Sequence, residues 1–219
     1  MNSLAIDERL KGLGIFPDDA VARADKYLSR IPGGTGAYSH SQGVHVVREE
    51  VAEFVDARDG QMQGTCDPDR IFLTDGASPA VQMMLRAMIS GPEDGIMIPI
   101  PQYPLYSAAI ALCGGTQVPY YLDEASNWGT PVHELESAYD KAKATGVTPR
   151  AVAVINPGNP TGGVLPRDGI AEIIDFCRRR ELVVLADEVY QENVWAQGME
   201  FHSFRQVALE EAGGDAPPV

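Results

Sequence analysis

The chain has 219 residues and 44% hydrophobic content, enough for one large domain, or one and a half smaller ones, with a buried core. Its formal charge of −14 argues against docking on nucleic acid or anionic membranes; the one basic run, Arg178-Arg179-Arg180, reads as cations at a helix C-terminus. Cys66, Cys113 and Cys177 form no CxxC, and His40, His45, His133 and His202 no HxxxH, so neither a disulfide framework nor a metal site is expected.

In chain order, Pro17 to Ser29 is expected to be helical, with Asp18 and Asp19 in its first turn and Ile31-Pro-Gly-Gly34 ending it. The glycine-rich stretch Gly33 to Gly43 follows a helix rather than a strand and lacks GxGxxG spacing, which excludes a dinucleotide loop. Val44, Val47, Val51, Phe54 and Val55 predict the apolar stripe of a second helix ending near Asp59-Gly60. Ile71-Phe-Leu-Thr74 reads as a short strand. It turns through Asp75-Gly76-Ala77-Ser78 into a helix carrying Val81, Met84, Leu85, Met88 and Ile89. A small-residue turn opening a helix suits an anion, because free N–H groups and the helix dipole converge there, although Ser78 is equally read as a plain N-cap.

Gly95 to Ile100 is a buried-type strand running into Pro101-Gln-Tyr-Pro-Leu-Tyr-Ser107. Between two prolines, Tyr103 has restricted neighbours and suits a ring that stacks on a planar ligand. Gln117 to Leu122 reads as a strand and Val132 to Ala144 as an amphipathic helix.

The most informative stretch runs from Ala151 to Tyr190. Ala151-Val-Ala-Val-Ile155 and Leu182-Val-Val-Leu-Ala186 are unbroken apolar runs, the habit of parallel strands covered on both faces. Between them Ile170, Ile173, Ile174 and Cys177 recur at helical spacing behind Pro166. The strands break into Asn156-Pro-Gly-Asn-Pro-Thr-Gly-Gly163 and Asp187-Glu-Val-Tyr190, so both polar clusters should share the carboxyl edge of one sheet, where α/β folds bind ligands. After Tyr190 the pattern weakens, and Gly213 to Val219 is loop-like in composition.

An anion cup at Gly76, Ala77 and Ser78, a ring at Tyr103, an amide at Asn159, a carboxylate at Asp187 and a phenol at Tyr190 describe a flat, phosphorylated, nitrogen-containing aromatic ligand. Asp187 at the end of a buried strand asks for a cationic partner such as a protonated ring nitrogen. Pyridoxal phosphate has these features.

Asn156-Pro-Gly-Asn-Pro-Thr-Gly162 with Ala186-Asp-Glu-Val-Tyr190 resembles the paired signature of the class I/II, fold type I PLP enzymes. Pro99 to Ala108, Leu73 to Ser78, Gly36 to Ser39 and Asp187 to Asn193 resemble the alanine aminotransferases among them. The resemblance implies an α/β fold, an incomplete large domain with a mostly parallel sheet flanked by helices. Residues 1–30 form an N-terminal helical segment on this reading, and 31–219 part of the PLP-binding domain. It implies transfer of an amino group between alanine and a 2-oxo acid such as 2-oxoglutarate, in a homodimer where Tyr38 reaches the neighbouring site. By the same resemblance Asp187 pairs with the pyridinium, Asn159 and Tyr190 bind the ring hydroxyl, Tyr103 stacks, and the turn at Gly76 to Ser78 holds the phosphate.

Lys11, Lys26, Lys141 and Lys143 are the chain's lysines, and none matches the position of the family's cofactor-bearing lysine. The sequence is therefore expected to be truncated at both ends, with negligible activity alone, an unpaired strand at Ile71–Thr74 and an exposed edge at Leu182–Ala186. Another aminotransferase, an aminocyclopropane-carboxylate-synthase-like lyase, and a non-catalytic product that modulates a full-length enzyme stand as alternatives. A nucleotide hydrolase is excluded by the absence of GxxxxGK[ST]. With no signal-peptide pattern at Met1 to Leu10 and no apolar run near the roughly 20 residues that span a bilayer, a cytoplasmic protein is expected, or an organellar one if the true N-terminus lies upstream.

Overall fold

The computed structural model describes residues 13–212 except Ala37, Met62 and Gln63. Lys11, the Met1 to Leu10 segment and the loop-like Gly213 to Val219 lie outside the described residues. The chain divides into two compact units, Met1–Thr74 and Asp75–Val219.

In the first unit, α1 (Asp18–Leu28) starts after Pro17, with Asp18 and Asp19 in its first turn and Lys26 in its last. Helix α2 (His45–Arg58) forms where expected, but on a different inward face. Phe54 is exposed, and the buried positions are Val46, Arg48, Ala52 and Asp56. Hydrogen bonding overrides hydropathy here: Arg48 donates to the carbonyls of Gly43 and Pro68 and to Asp69, while Asp56 accepts from the N–H groups of Gly64 and Cys66. Ile71–Thr74 is not a strand, a correction to the sequence reading. Leu73 bonds to the Gln42 carbonyl, and Phe72 is exposed. A β-rich tetrapeptide needs a neighbouring strand to become one, and among the described residues none pairs with it.

In the second unit, four parallel strands lie in the order β2-β1-β3-β4: β1 (Asp94–Ile100), β2 (Thr116–Tyr121), β3 (Thr148–Ile155) and β4 (Val183–Asp187). The helices are α3 (Ala77–Met88), α4 (Leu105–Cys113), α5 (Val132–Ala144), α6 (Arg167–Arg180) and α7 (Phe204–Ala212). Alternation along the strands divides the core between the two faces. Met97, Val152, Val154 and Val184 pack with Leu135, Ile170, Ile173, Phe176 and Phe204 from α5, α6 and α7. Ile96, Ile98, Ala151 and Ala153 pack with Leu85, Tyr106 and Ile110 from α3 and α4. Each large side chain buried this way contributes about 2–3 kcal/mol. The parallel α/β sheet expected from the apolar runs is therefore present, and β4 is the expected edge.

Helix α7 escaped the sequence reading. Phe204, Val207 and Ala208 are buried at helical spacing, and Ser203 Oγ accepts from the N–H of Gln206 to cap the start. Arg179 and Arg180 of the basic run both pair with Glu136, and Arg180 lies over the ring of Tyr139. Among the described residues no helix is long and apolar enough to cross a membrane.

Candidate functional site

Both polar clusters emerge at the carboxyl ends of adjacent strands because Ile155 pairs with Asp187 in the β3–β4 ladder. One step on, the backbone N–H of Asn156 donates to the Asp187 carbonyl. The side chain of Asn156 is fully buried, and its Oδ1 accepts from the N–H of Leu165 at 2.9 Å, closing the loop that carries Asn159. The Asn159 amide donates to the Tyr190 hydroxyl at a long 3.4 Å. Both residues line a hollow of about 310 Å³ with Pro157, Asn193 and Trp195.

Asp187, the last residue of β4, lies on an apolar groove of about 660 Å³ with Ala77, Ala80, Met84, Tyr106 and Val189. Its Oδ2 accepts from the Tyr106 hydroxyl at 2.9 Å, and its Oδ1 has a long 3.4 Å contact from the N–H of Val189. Tyr106 is fully buried in the first turn of α4. Burial, and next the charge of Asp187, push its phenol far above the usual tyrosine range. The phenol thus stays protonated at working pH, and the bond runs from Tyr106 to Asp187.

Ala77 brings the N-terminus of α3 to the same groove as Asp187. The N-cap is Gly76, at φ 94° and ψ 173°, which corrects the plain N-cap reading of Ser78. Only glycine enters that backbone region readily, so the chain turns into the helix at Gly76 and leaves Ser78 inside the first turn. The cap residue, being glycine, offers no side-chain acceptor of its own, and Pro79 has no N–H, so the first-turn donors of Ala77 and Ser78 precede a proline. Tyr103 lies beyond the carboxyl end of β1 and is 44% exposed. Tyr38 belongs to the first unit, where its side chain is fully exposed.

A phosphate suits the helix start at Gly76 to Ser78, a cationic nitrogen suits the Asp187 carboxylate, and a phenolic oxygen suits the Asn159 and Tyr190 pair. Two buried polar atoms of the loops at this edge, Gln102 Oε1 and Asn156 Nδ2, find no partner among the described residues, so these loops keep hydrogen-bonding capacity open. The donor set fits pyridoxal phosphate. Among the described residues no lysine lines the groove: Lys26 pairs with Glu50, Lys141 is exposed on α5, and Lys143 reaches Thr148 at the amino end of β3.

Tyr106 and Asn156 were not assigned roles from sequence. Tyr106 sits one helical turn past Tyr103 behind Pro104, a spacing that hints at a second inward tyrosine, but no local pattern identifies a partner 81 residues away.

A family model described as aminotransferase class I and II matches residues 4–215. Alanine aminotransferase 1, mitochondrial, of Arabidopsis thaliana is 54% identical over 203 residues, which cover 92% of this chain and 37% of that protein. Glutamate–glyoxylate aminotransferase 1 of the same plant is 53% identical over 196 residues, 90% of this chain and 40% of that protein. Among solved structures, an aminotransferase from Escherichia coli superposes with a TM-score of 0.69 at 26% identity, over 92% of this chain and 50% of the other. The chain thus spans well under half the length of these curated relatives.

Proposed function

Given that this chain belongs to the class I and II aminotransferases, we propose that the carboxyl edge of its sheet is the pyridoxal-phosphate face of an enzyme transferring an amino group between alanine and a 2-oxo acid. The observation that carries this reading is the shared groove of Ala77 and Asp187, which puts a glycine-opened helix start and a strand-end carboxylate on one ligand. On this reading Gly76, Ala77 and Ser78 hold the phosphate and Asp187 faces the ring nitrogen at the groove, Asn159 and Tyr190 bind the ring oxygen from the separate hollow that they line, and Tyr103 covers the ring. Bound there, the cofactor supplies an electron sink for a substrate that has lost its α-proton. Asp187 serves by keeping a proton on the ring nitrogen, and the apolar wall of Val81, Met84 and Leu185 excludes water around that charge pair. The lysine on which the family carries the cofactor is assigned to no residue of this chain.

We also infer a homodimer, with Tyr38 directed to the neighbouring site, from the resemblance in Gly36 to Ser39. None of Cys66, Cys113 and Cys177 is in a disulfide, which supports a reducing compartment such as the cytoplasm. One matched relative is named mitochondrial.

Titration with pyridoxal phosphate, read by circular dichroism in the cofactor's absorption band, tests the site. Saturable binding that Asp187→Ala abolishes is expected; an unsaturable signal equal in both proteins would overturn the assignment. A second specificity, glutamate with glyoxylate, is favoured by a relative at 53% identity. Turnover of each substrate pair by the protein that carries this sequence decides between them.

A further inference from the structure

We propose that Tyr106 is a positioning residue for the cofactor ring: its buried hydroxyl, 2.9 Å from Oδ2 of Asp187, fixes one oxygen of that carboxylate and leaves the other to meet the ring nitrogen. The inference rests on Asp187 facing that nitrogen, as argued above.

Three observations carry it. Tyr106 cannot reorient, because it is fully buried in the cluster formed by Leu85, Ile96, Ile98, Ala109 and Ile110. Its phenol stays a donor, since burial holds the proton on it. Without it, the Asp187 carboxylate keeps, among the described residues, the long contact from the Val189 N–H, which resists its rotation weakly. Tyr120 is the internal comparison. It is equally buried, but its hydroxyl donates to the backbone carbonyl of Ala153, where it serves the sheet alone. A phenylalanine would fill either space, so what distinguishes position 106 is the O–H aimed at a carboxylate.

The test is a double-mutant cycle on pyridoxal-phosphate affinity, with the pH dependence of the bound cofactor's spectrum as a second readout. Tyr106→Phe keeps the ring packing and should weaken binding about tenfold, the usual size of a hydrogen bond to a charged group. The same change should have no effect in the Asp187→Asn background. The spectral pH midpoint should move in Tyr106→Phe and stay fixed in Tyr120→Phe. As a variant that retains the donor, 3-fluorotyrosine at position 106 should restore wild-type affinity, and it keeps the question answerable if the phenylalanine variant misfolds.

If the wild type binds and Asp187→Asn binds measurably but more weakly, an unchanged affinity and midpoint in Tyr106→Phe refute the role of Tyr106 alone. Equal losses in both Asp187 backgrounds, or failure of the fluorinated residue to bind, refute it equally. Absence of saturable binding by the wild type refutes the reading of Asp187 and this inference with it.

Discussion

The backbone N–H of Asn156 donates to the carbonyl of Asp187 across 3.0 Å, tying the root of the Asn159 loop to the strand end that bears the carboxylate. The Asn156 side chain closes the other end of that loop on Leu165. Asn156→Ala leaves the buried Leu165 N–H without its acceptor and should lower stability by about 1–3 kcal/mol. Urea unfolding measures this. A midpoint unchanged from wild type would show that the loop is held by other means.

Gly76 opens α3 at φ 94°, with no neighbouring atom within 4 Å of where a Cβ would stand. Strain rather than collision is therefore the cost of a side chain there. Gly76→Ala is expected to lose about 1–3 kcal/mol and to shift the entry of the helix, seen as altered amide resonances at Ala77 and Ser78. A neutral substitution with unmoved resonances would mean that the turn tolerates L-residues.

The alkaline limb of stability should be set by Tyr106 and Tyr120, both pushed far above the usual range, with burial the leading cause in each. The folded chain keeps these protons where the unfolded chain releases them, above about pH 10. Their contribution is thus complete below that pH and is lost as pH rises beyond it, by about 1.4 kcal/mol per pH unit for each tyrosine. In an absorbance titration, two of the eight tyrosines should ionise only as the chain unfolds, and each Tyr→Phe change should remove one. Reversible ionisation of all eight with native circular dichroism would contradict this.

Strand β4 ends the sheet with the apolar sequence Val183-Val-Leu-Ala and has neither a proline nor a lysine to guard its open side. Such edges template association. Val183 is partly exposed there, so Val183→Lys should reduce concentration-dependent light scattering while leaving the unfolding midpoint nearly unchanged. Equal scattering by the two proteins would locate the sticky surface elsewhere.

Legibility followed the kind of force at each position. Where burial alone decides, as at Ile170, Ile173, Ile174 and Cys177, spacing in the sequence is enough, and all four are buried as read. The strand order places Asp187 beside Asn156 for the same reason, since apolar runs imply parallel neighbours. On α2 the reading failed because Arg48 and Asp56 are drawn inward by loop carbonyls and amides, partners that no periodicity reveals. Ile71–Thr74 has strand propensity and, among the described residues, no strand to pair with. Within Leu105-Tyr-Ser-Ala-Ala-Ile-Ala-Leu-Cys113 nearly every residue is apolar, so nothing local says which face of α4 is inward, and the bond from Tyr106 to Asp187 becomes visible only in three dimensions.

Hydrogen–deuterium exchange of the purified chain with and without pyridoxal phosphate tests the central claim most directly. A single cofactor face built from three carboxyl-edge loops and one helix start predicts protection confined to Gly76 to Val81, Gln102 to Tyr106, Asn156 to Leu165 and Asp187 to Tyr190, all at one ligand concentration. Protection that is absent, or that falls on exposed lysines such as Lys141 and Lys143 instead, would contradict it.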